Sequence, residues 1–240
     1  MAPETMGGGA HRAARPGGTA PHMVVADVGL PVLADTDRHH LERVRRLRTG
    51  DDLTVTDGRG SWRWCRFGPE LEPAGAPVLD PPPAPPITVA FALVKGERPE
   101  LVVQKLTELG VDVIIPFVAE RSVVRWDADK ADRNAERLRR VALEASMQSR
   151  RTWVPEVAAV TSFAEVSALP GAVRADMDGG APTLDRPVLL IGPEGGWSPE
   201  ERTALPAAVG LGSGVLRAET AAIAGAALLC ALRSGAVARA

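Results

Sequence analysis

Two glycine-rich turns near the C-terminus carry the residue types best suited to holding a small polar ligand. The first lies in VLLIGPEGGWSPEE (188–201), where four apolar residues lead into a segment with three glycines. Ser198, followed by Pro199 and Glu201, predicts a helix start, because a serine cap with a glutamate three residues later is typical of one. Glycines at the carboxyl end of a parallel strand let the backbone approach a ligand without a Cβ atom in the way. The stretch therefore predicts a strand, a binding turn and a capped helix.

The second turn lies in LGSGVLRAETAAIAGAAL (211–228), just before a run of small residues. We predict a short strand over Gly214–Leu216, with Arg217, Glu219 and Thr220 at the head of the final helix. Together the two turns could enclose a small polar ligand with a flat part of adenine size. Two simpler alternatives stay open from these residues alone: a tight strand-to-helix turn and an alanine-rich buried helix.

The spacing of the glycines restricts the class of ligand. It matches neither G-x-G-x-x-G nor G-x-x-x-x-G-K-[ST], so a dinucleotide or triphosphate site is not indicated. Glu194 also argues against phosphate, because its carboxylate would repel an anion. An α/β enzyme acting on a small phosphorylated metabolite is kept as an alternative, although it leaves the N-terminal region unexplained.

The elements that must position these turns alternate between strands and helices from residue 87 onward. Continuous apolar strands alternating with helices predict a parallel sheet covered on both faces, and hence an α/β fold. The predicted strands are 87–94, 113–118, 157–160, 172–175, 188–191 and 214–216, and the predicted helices are 99–109, 129–150, 163–169, 198–208 and 220–233.

The region 23–80 has a different pattern, with short β-like runs that include a hairpin around DGRG. A short helix is predicted between the first two runs. Leu41, Val44 and Leu47 form its inner face, and Gly50 ends it. Several short strands and one helix in so few residues predict a small β-barrel.

The remaining segments set the predicted domain boundaries. Residues 1–22 carry five glycines and no apolar periodicity, which predicts a disordered tail. Five prolines within 81–86 predict a stiff, extended linker. The α/β domain is therefore expected to span 87–240.

The composition excludes several classes of protein. With 45% hydrophobic residues, a chain of 240 residues can bury a core. No apolar run approaches the ~18 residues of a membrane span, and the polar N-terminus lacks a signal peptide. We therefore expect a cytoplasmic protein with no membrane partner. Neither Cys65 and Cys230 nor His39 and His40 have metal-ligand spacing, so no metal site is predicted.

Five segments of the chain follow one another in the order typical of a known family. They are HHLERVRRLRTGDDLTVTDGRG, KGERPELVVQKLTELGVDVIIPFVAERSVVRW, EASMQSRRTWVPEV, LLIGPEGGWSPEE and LGSGVLRAETAAIAGAAL. The chain resembles the SPOUT methyltransferases and, within them, the bacterial family that makes 3-methyluridine in 16S ribosomal RNA. Two departures are Met147, where the family has glutamate, and Ser213-Gly214, where proline is common.

The resemblance implies a fold, a cofactor and an oligomeric state. The fold is a C-terminal SPOUT domain with a parallel sheet and a trefoil knot, preceded by a small PUA-like β-barrel domain. S-adenosylmethionine is the implied cofactor, and a homodimer through the knot region is implied. The implied cofactor-binding residues are Ile191, Gly192, Pro193, Glu194, Gly195, Gly196, Leu211, Gly212, Val215, Leu216, Arg217, Thr220 and Ala221.

The implied reaction is methyl transfer to N3 of a uridine in 16S ribosomal RNA or the small ribosomal subunit. Arg217 is the candidate for stabilising negative charge on the uracil, and Glu219 for orienting Arg217 or acting as the base. A non-catalytic RNA-binding protein with a degenerate methyltransferase domain is the alternative. The candidate RNA-binding residues are Arg38, His39, His40, Arg43, Arg45, Arg46, Arg48, Arg121, Arg125, Arg150 and Arg151.

Overall fold

The computed structural model describes residues 18–94 and 98–237, which divide into two compact units between Asp80 and Pro81. Most of the predicted tail lies outside the described residues, as do the last three residues of the chain. The first strand begins at His22, which is buried, one residue before the expected start of the folded part. Within the two described ranges, no helix is long and apolar enough to cross a membrane.

The first unit is a four-stranded sheet with one helix. Its elements are β1 (His22–Val24), α1 (Asp35–Arg43), β2 (Asp52–Thr56), β3 (Ser61–Arg66) and β4 (Glu72–Leu79). The strands lie in chain order, with β1 parallel to β2 and the other neighbours antiparallel. The pairing of β2 with β3 confirms the predicted hairpin, and Leu53, Val55 and Trp62 are buried in this unit.

The strand β4 has no counterpart in the sequence prediction. It contains Pro73, Gly75 and Pro77, and proline and glycine are depleted in strands. Its position at the end of the strand order accommodates them, because an edge strand leaves part of its backbone unpaired.

The helix α1 is shorter than predicted. It ends at Arg43, and Val44, expected on the inner face, is 64% exposed. The cause is a helix-ending turn in which Arg46 has a φ of 56° and the Leu47 N–H donates to the Leu41 carbonyl at 3.0 Å. The prediction that Gly50 ends the helix is therefore wrong.

The second unit is a parallel sheet flanked by helices. Its elements are β5 (Thr88–Ala92), α2 (Arg98–Leu109), β6 (Val113–Val118), α3 (Ala128–Ser149), β7 (Glu156–Val157), β8 (Thr161–Ser162), α4 (Phe163–Ser167), β9 (Ala172–Gly180), β10 (Val188–Ile191), α5 (Pro199–Ala204), β11 (Ala208–Val209) and α6 (Ala218–Ser234). The strand order is β11-β9-β10-β5-β6-β7, with β8 also pairing with β6.

Side chains along β10 alternate between two hydrophobic cores. Leu189 and Ile191 belong to the core formed with α2, α3 and α6. Val188 and Leu190 belong to the opposite core, which includes Trp197. Because both faces of the sheet are covered, the strand is a continuous apolar run, as the sequence predicts.

Two elements near the second turn differ from the prediction. α5 ends at Ala204 rather than at residue 208, because the residue before Pro206 is disfavoured in a helix. The chain then forms β11 beside β9. The predicted strand Gly214–Leu216 is wrong: this segment is a loop, and Val215 is 84% exposed.

Asp112, just before β6, ties the end of α6 to the sheet. Its Oδ2 accepts the Ile87 backbone N–H at 2.8 Å and a hydrogen bond from Arg233. Its Oδ1 lies 3.4 Å from Arg151 Nη2. None of these three charged side chains is more than 14% exposed, so two guanidinium groups share one largely buried carboxylate.

The helix α6 lies close to the sheet because its inner face consists of small residues. Ala222, Gly225 and Ala226 are buried, and α6 packs against β5, β10 and α2. A Cβ atom at Gly225 would overlap the side chain of Leu189. The close approach of helix and strand therefore depends on the absence of a side chain at Gly225.

We predict that Gly225→Val lowers the free energy of unfolding by about 1–3 kcal/mol, because the added atoms overpack the contact with Leu189. Denaturant unfolding measures the change. Gly180→Ala is the control, since a Cβ atom there meets no atom within 4 Å. Equal stability of the Gly225→Val variant and the wild type would contradict the proposed close contact.

Candidate active site

The two glycine-rich turns line one open cavity of about 210 Å³. We call residues 192–197 the first loop and residues 210–217 the second loop. The first loop follows β10, and the second connects β11 to α6. The implied cofactor-binding residues that line the cavity are Ile191, Gly192, Pro193, Glu194, Gly196, Leu211, Gly212, Val215, Leu216 and Ala221. Gly195, Arg217 and Thr220 lie in or beside the loops without lining it.

Trp197, the last residue of the first loop, packs its ring against Gly192 at the start of the same loop. Its ring stacks on Phe117, with centroids 6.2 Å apart and an interplanar angle of 7°, and its Nε1 donates to the Ala175 carbonyl at 2.9 Å. A Cβ atom at Gly192 would lie 2.9 Å from the indole ring. Glycine at this position therefore lets the chain turn directly over the buried tryptophan.

The helix cap after the first loop also binds a neighbouring loop. Glu201 is 5% exposed, and its two carboxylate oxygens accept the N–H groups of Ser198 and Glu120, each at 2.9 Å. Arg121 adds a hydrogen bond of 3.3 Å from Nη1 to the Gly195 carbonyl. The predicted capping box is present, and the same carboxylate also joins the loops that follow β6 and β10.

The second loop presents apolar side chains and an exposed arginine. Val215 and Leu216 are 84% and 37% exposed and also line the cavity. Arg217 is exposed at the position that caps α6, and its side chain makes no cap hydrogen bond. Arg217 is therefore placed beside the cavity rather than within its wall.

Asp176 and Arg202 are cavity residues that the sequence analysis missed. Asp176 follows β9 residues buried in the sheet and accepts hydrogen bonds from Arg202 and from Arg174 Nε, the latter at 3.2 Å. Both Asp176 and Arg202 line the cavity, as do Ala175, Met177, Gly214 and Ala218. β9 and β10 are parallel, so their carboxyl ends lie at the same edge of the sheet. A parallel sheet was predicted from the sequence, and this rule could have indicated Asp176 as a residue of the site.

Arg98, at the start of α2, is a further residue that the sequence analysis missed. Its Nη1 lies 3.3 Å from Glu194 Oε1, and its Nε lies 3.7 Å from Glu219 Oε1. The Glu219 side chain is 13% exposed, and its Oε2 is buried without a hydrogen-bond partner among the described residues. The structure therefore brings Glu219 close to the first loop through Arg98.

The cavity wall carries charged groups of both signs. Asp176 and Glu194 contribute carboxylates, and Arg202 is the one cationic side chain among the described lining residues. Asp176 pairs with Arg202 and Arg174, and Glu194 pairs with Arg98, so these charges largely compensate one another.

The candidate RNA-binding residues of the first unit fall into two groups. Arg38 is half-buried: its Nη1 donates to the Gly68 carbonyl at 2.7 Å, and its guanidinium carbon lies 5.5 Å from the Phe67 ring centroid. The exposed residues are His39, His40, Arg43, Arg45, Arg46 and Arg48. Among the described residues, no group of His, Cys, Asp or Glu could hold a metal ion.

The candidate RNA-binding residues of the second unit also differ in exposure. Arg121 and Arg125 are exposed, and Arg150 caps the C-terminus of α3 with a φ of 57°. Arg151 donates to the Thr107 and Val111 carbonyls at 2.9 and 2.7 Å and contacts Asp112. Burial lowers the pKa of Arg151, and the Asp112 carboxylate opposes this shift. The Arg151 guanidinium therefore holds the protein interior together, which sets it apart from the exposed arginines of this unit.

Models of known protein families match both units. An RNA methyltransferase domain matches residues 81–230, and an RNA methyltransferase PUA domain matches residues 33–67. The parallel sheet, its loop-lined cavity and the small N-terminal unit thus define an RNA methyltransferase with a PUA-like domain. The predicted α/β fold class is confirmed.

Similar proteins and a similar solved structure identify the family within this class. Ribosomal RNA small subunit methyltransferase E of Mycobacterium bovis is 37% identical over 228 residues, covering 82% of this chain and 84% of the relative. The Bacillus subtilis protein of that name is 32% identical over 223 residues, covering 76% and 82%. The Neisseria gonorrhoeae protein, crystallised with S-adenosyl methionine, superposes with a TM-score of 0.71 at 25% identity, covering 87% of this chain and 95% of that chain. The chain therefore belongs to the ribosomal RNA small subunit methyltransferase E family, which confirms the resemblance found in the sequence.

We predict that Glu201→Gln lowers the free energy of unfolding by about 1–3 kcal/mol, because an amide has one acceptor oxygen for two N–H groups. Denaturant unfolding measures this loss, and hydrogen exchange should show faster exchange at the Ser198 and Glu120 amides. Glu200→Gln, an exposed neighbour on the same helix, is the control and should change stability by less than about 0.5 kcal/mol. Equal effects of the two substitutions would contradict the role of Glu201.

Proposed function

We propose that this protein transfers a methyl group from S-adenosylmethionine to N3 of a uridine in 16S ribosomal RNA. The observation that carries the proposal is that both loops implicated by the resemblance line one cavity. Family relatives named ribosomal RNA small subunit methyltransferase E, one of them bound to S-adenosyl methionine, support the substrate and the cofactor.

The charges of the cavity suit S-adenosylmethionine. The cofactor carries a sulfonium, an ammonium and a carboxylate group, and the lining residues include Asp176, Glu194 and Arg202. Arg202 pairs with Asp176 and Arg98 pairs with Glu194, so a ligand with charges of both signs can contact either partner of each pair. A wall with both signs of charge therefore fits this ligand better than it fits a phosphorylated metabolite.

The shape of the loops suits the nucleoside part of the cofactor. Leu211, Val215 and Leu216 give the cavity apolar surface for a flat ring. Cβ atoms at Gly196 and Gly212 would meet no atom within 4 Å, so bare backbone borders open space there. This arrangement supports the assignment of both loops to cofactor binding.

The bound cofactor supplies an already activated methyl group, which leaves positioning and removal of the N3 proton to the protein. Arg217, exposed beside the cavity, is our candidate for stabilising negative charge on the uracil oxygens. Glu219, with an unpartnered carboxylate oxygen, is our candidate for accepting the proton or for orienting the arginine.

Exposed arginines support binding of RNA to both units. Arg43, Arg45, Arg46 and Arg48 in the first unit and Arg121 and Arg125 in the second can contact phosphate groups, which arginine binds well. We propose 16S ribosomal RNA, free or within the small subunit, as the partner. Since the substrate is ribosomal RNA and the relatives are bacterial proteins, we place the reaction in the cytoplasm.

We also propose that the C-terminal segment forms the trefoil knot and part of a homodimer contact. After β10 the chain runs to β11 beside β9, and it then returns as α6 to pack on β5 and β10. This return path supports threading of the C-terminal helix past the first loop. Exposed apolar residues in the second loop and α6, Val215, Leu216 and Leu228, support a contact with a second copy.

The first test is a methylation assay on small ribosomal subunits from a strain that lacks this protein. We expect incorporation of one methyl group, recovered as 3-methyluridine on nucleoside analysis. Methyl transfer to cytosine, or none, would overturn the proposed reaction. Absence of S-adenosylmethionine binding by calorimetry, together with absence of transfer, would instead favour a non-catalytic RNA-binding protein with a degenerate methyltransferase domain.

The second test concerns the arginine beside the cavity. We expect Arg217→Ala to lower kcat about 100-fold, as loss of a donor that stabilises transition-state charge does, while the Kd for S-adenosylmethionine changes less than about threefold. Arg140→Ala, an exposed arginine of α3, is the control. A loss confined to cofactor affinity would reassign Arg217 to cofactor binding.

A further inference from the structure

Arg98 contacts a carboxylate on each of two separate elements of the site. Its Nη1 lies 3.3 Å from Glu194 Oε1 in the first loop, and its Nε lies 3.7 Å from Glu219 Oε1 in the first turn of α6. These elements are far apart in the sequence, and Arg98 belongs to a third, the start of α2. One guanidinium group thus joins the wall of the cavity to the head of the C-terminal helix.

The two contacts of Arg98 differ in their exposure to solvent. The side chains of Arg98 and Glu194 are 40% and 44% exposed, whereas that of Glu219 is 13% exposed. Solvent weakens the Glu194 contact, so it contributes little to stability. The Glu219 contact is better shielded from solvent, and at 3.7 Å it is an ion pair without a hydrogen bond, so its influence on Glu219 is electrostatic.

Glu219 keeps one acceptor for another partner. With Oε1 facing Arg98, its Oε2 is buried and has no hydrogen-bond partner among the described residues. Glu219 itself does not line the cavity, but Arg98, which contacts its Oε1, also contacts Glu194 in the cavity wall. A buried carboxylate oxygen without a donor is costly, so a donor brought by a ligand next to this wall would be stabilised there.

We propose that Arg98 is a positioning residue for methyl transfer: it holds Oε1 of Glu219 so that Oε2 remains available to accept a hydrogen bond from the reacting nucleotide. The proposal rests on the proposed function and adds a residue to it. Glu194 holds the other side of the guanidinium, so the orientation of Glu219 is linked to the first loop.

The chemistry of the contact requires arginine rather than a generic cation. A guanidinium presents Nε and Nη1 in a fixed plane and can address two carboxylates at once. A lysine ammonium is a single flexible point charge, so Arg98→Lys should restore the charge without the geometry. Arg98→Lys therefore distinguishes two roles of Arg98: orienting the Glu219 carboxylate and merely neutralising its charge.

The chain supplies a matched control in Arg137. Its Nε lies 3.1 Å from Glu100 Oε1, and Glu100 Oε2 is likewise buried and unpartnered among the described residues. The Glu100 side chain is 19% exposed, close to the value for Glu219. Neither residue of this control pair lines the cavity between the two loops.

The experiment compares Arg98→Gln, Arg98→Lys and Arg137→Gln with the wild type in the small-subunit methylation assay. We expect Arg98→Gln to lower kcat about tenfold, with the Kd for S-adenosylmethionine within about threefold of the wild type. Arg98→Lys should fall between the two, and Arg137→Gln should stay within about twofold of the wild type. Thermal midpoints of all variants show whether folding is intact.

A double-mutant cycle with Glu219→Gln provides the decisive readout. If Arg98 acts through Glu219, Arg98→Gln should have little further effect on kcat once Glu219 is changed, because coupled residues are not additive. If Arg98→Gln does not fold, Arg98→Lys takes its place in the cycle. Fully additive effects, or an unchanged kcat for the folded Arg98 variant, would overturn the proposal while leaving the methyltransferase activity in place. Absence of transfer by the wild type would overturn the proposed function, and this inference with it.

Discussion

The close packing of α6 on β10 is the contact on which the architecture of the site depends. Gly225 lies against Leu189, so the axis of the helix approaches the sheet more closely than a larger residue would allow. The N-terminus of the same helix follows the second loop, which lines the cavity opposite the first loop. A wider spacing between helix and strand would move Ala218 and Ala221 away from the first loop and open the cavity wall.

Buried carboxylates then hold the loops and helix ends that hydrophobic packing alone would leave undefined. Glu201 binds backbone N–H groups in the loops that follow β6 and β10, and Asp112 binds a backbone N–H together with Arg151 and Arg233. Each carboxylate is satisfied by several donors, as a largely buried anion requires. The site therefore combines a rigid frame with loops whose glycines leave backbone accessible.

Features encoded by neighbouring residues were predictable, whereas those made by distant ones were not. The apolar run of β10 and the Ser198–Glu201 cap are local, and both were found in the sequence. Pro206 was a local signal that should have shortened the predicted helix, and Arg46 showed no signal for its left-handed conformation. The roles of Asp176, Arg202, Arg98 and Arg151 arise from long-range contacts, which residue type and spacing do not reveal.

The pairing of β10 with β5 has a consequence for synthesis of the chain. Val188 pairs with Thr88, so the centre of the sheet joins segments that leave the ribosome far apart in time. Contacts of such long sequence separation form slowly, because a long loop must close before they are made. The N-terminal unit ends at Asp80 and has its own internal sheet, so it can fold while the rest is still being translated. The nascent chain would then expose the arginines of this unit, Arg43, Arg45, Arg46 and Arg48, before the domain that carries out methyl transfer has folded.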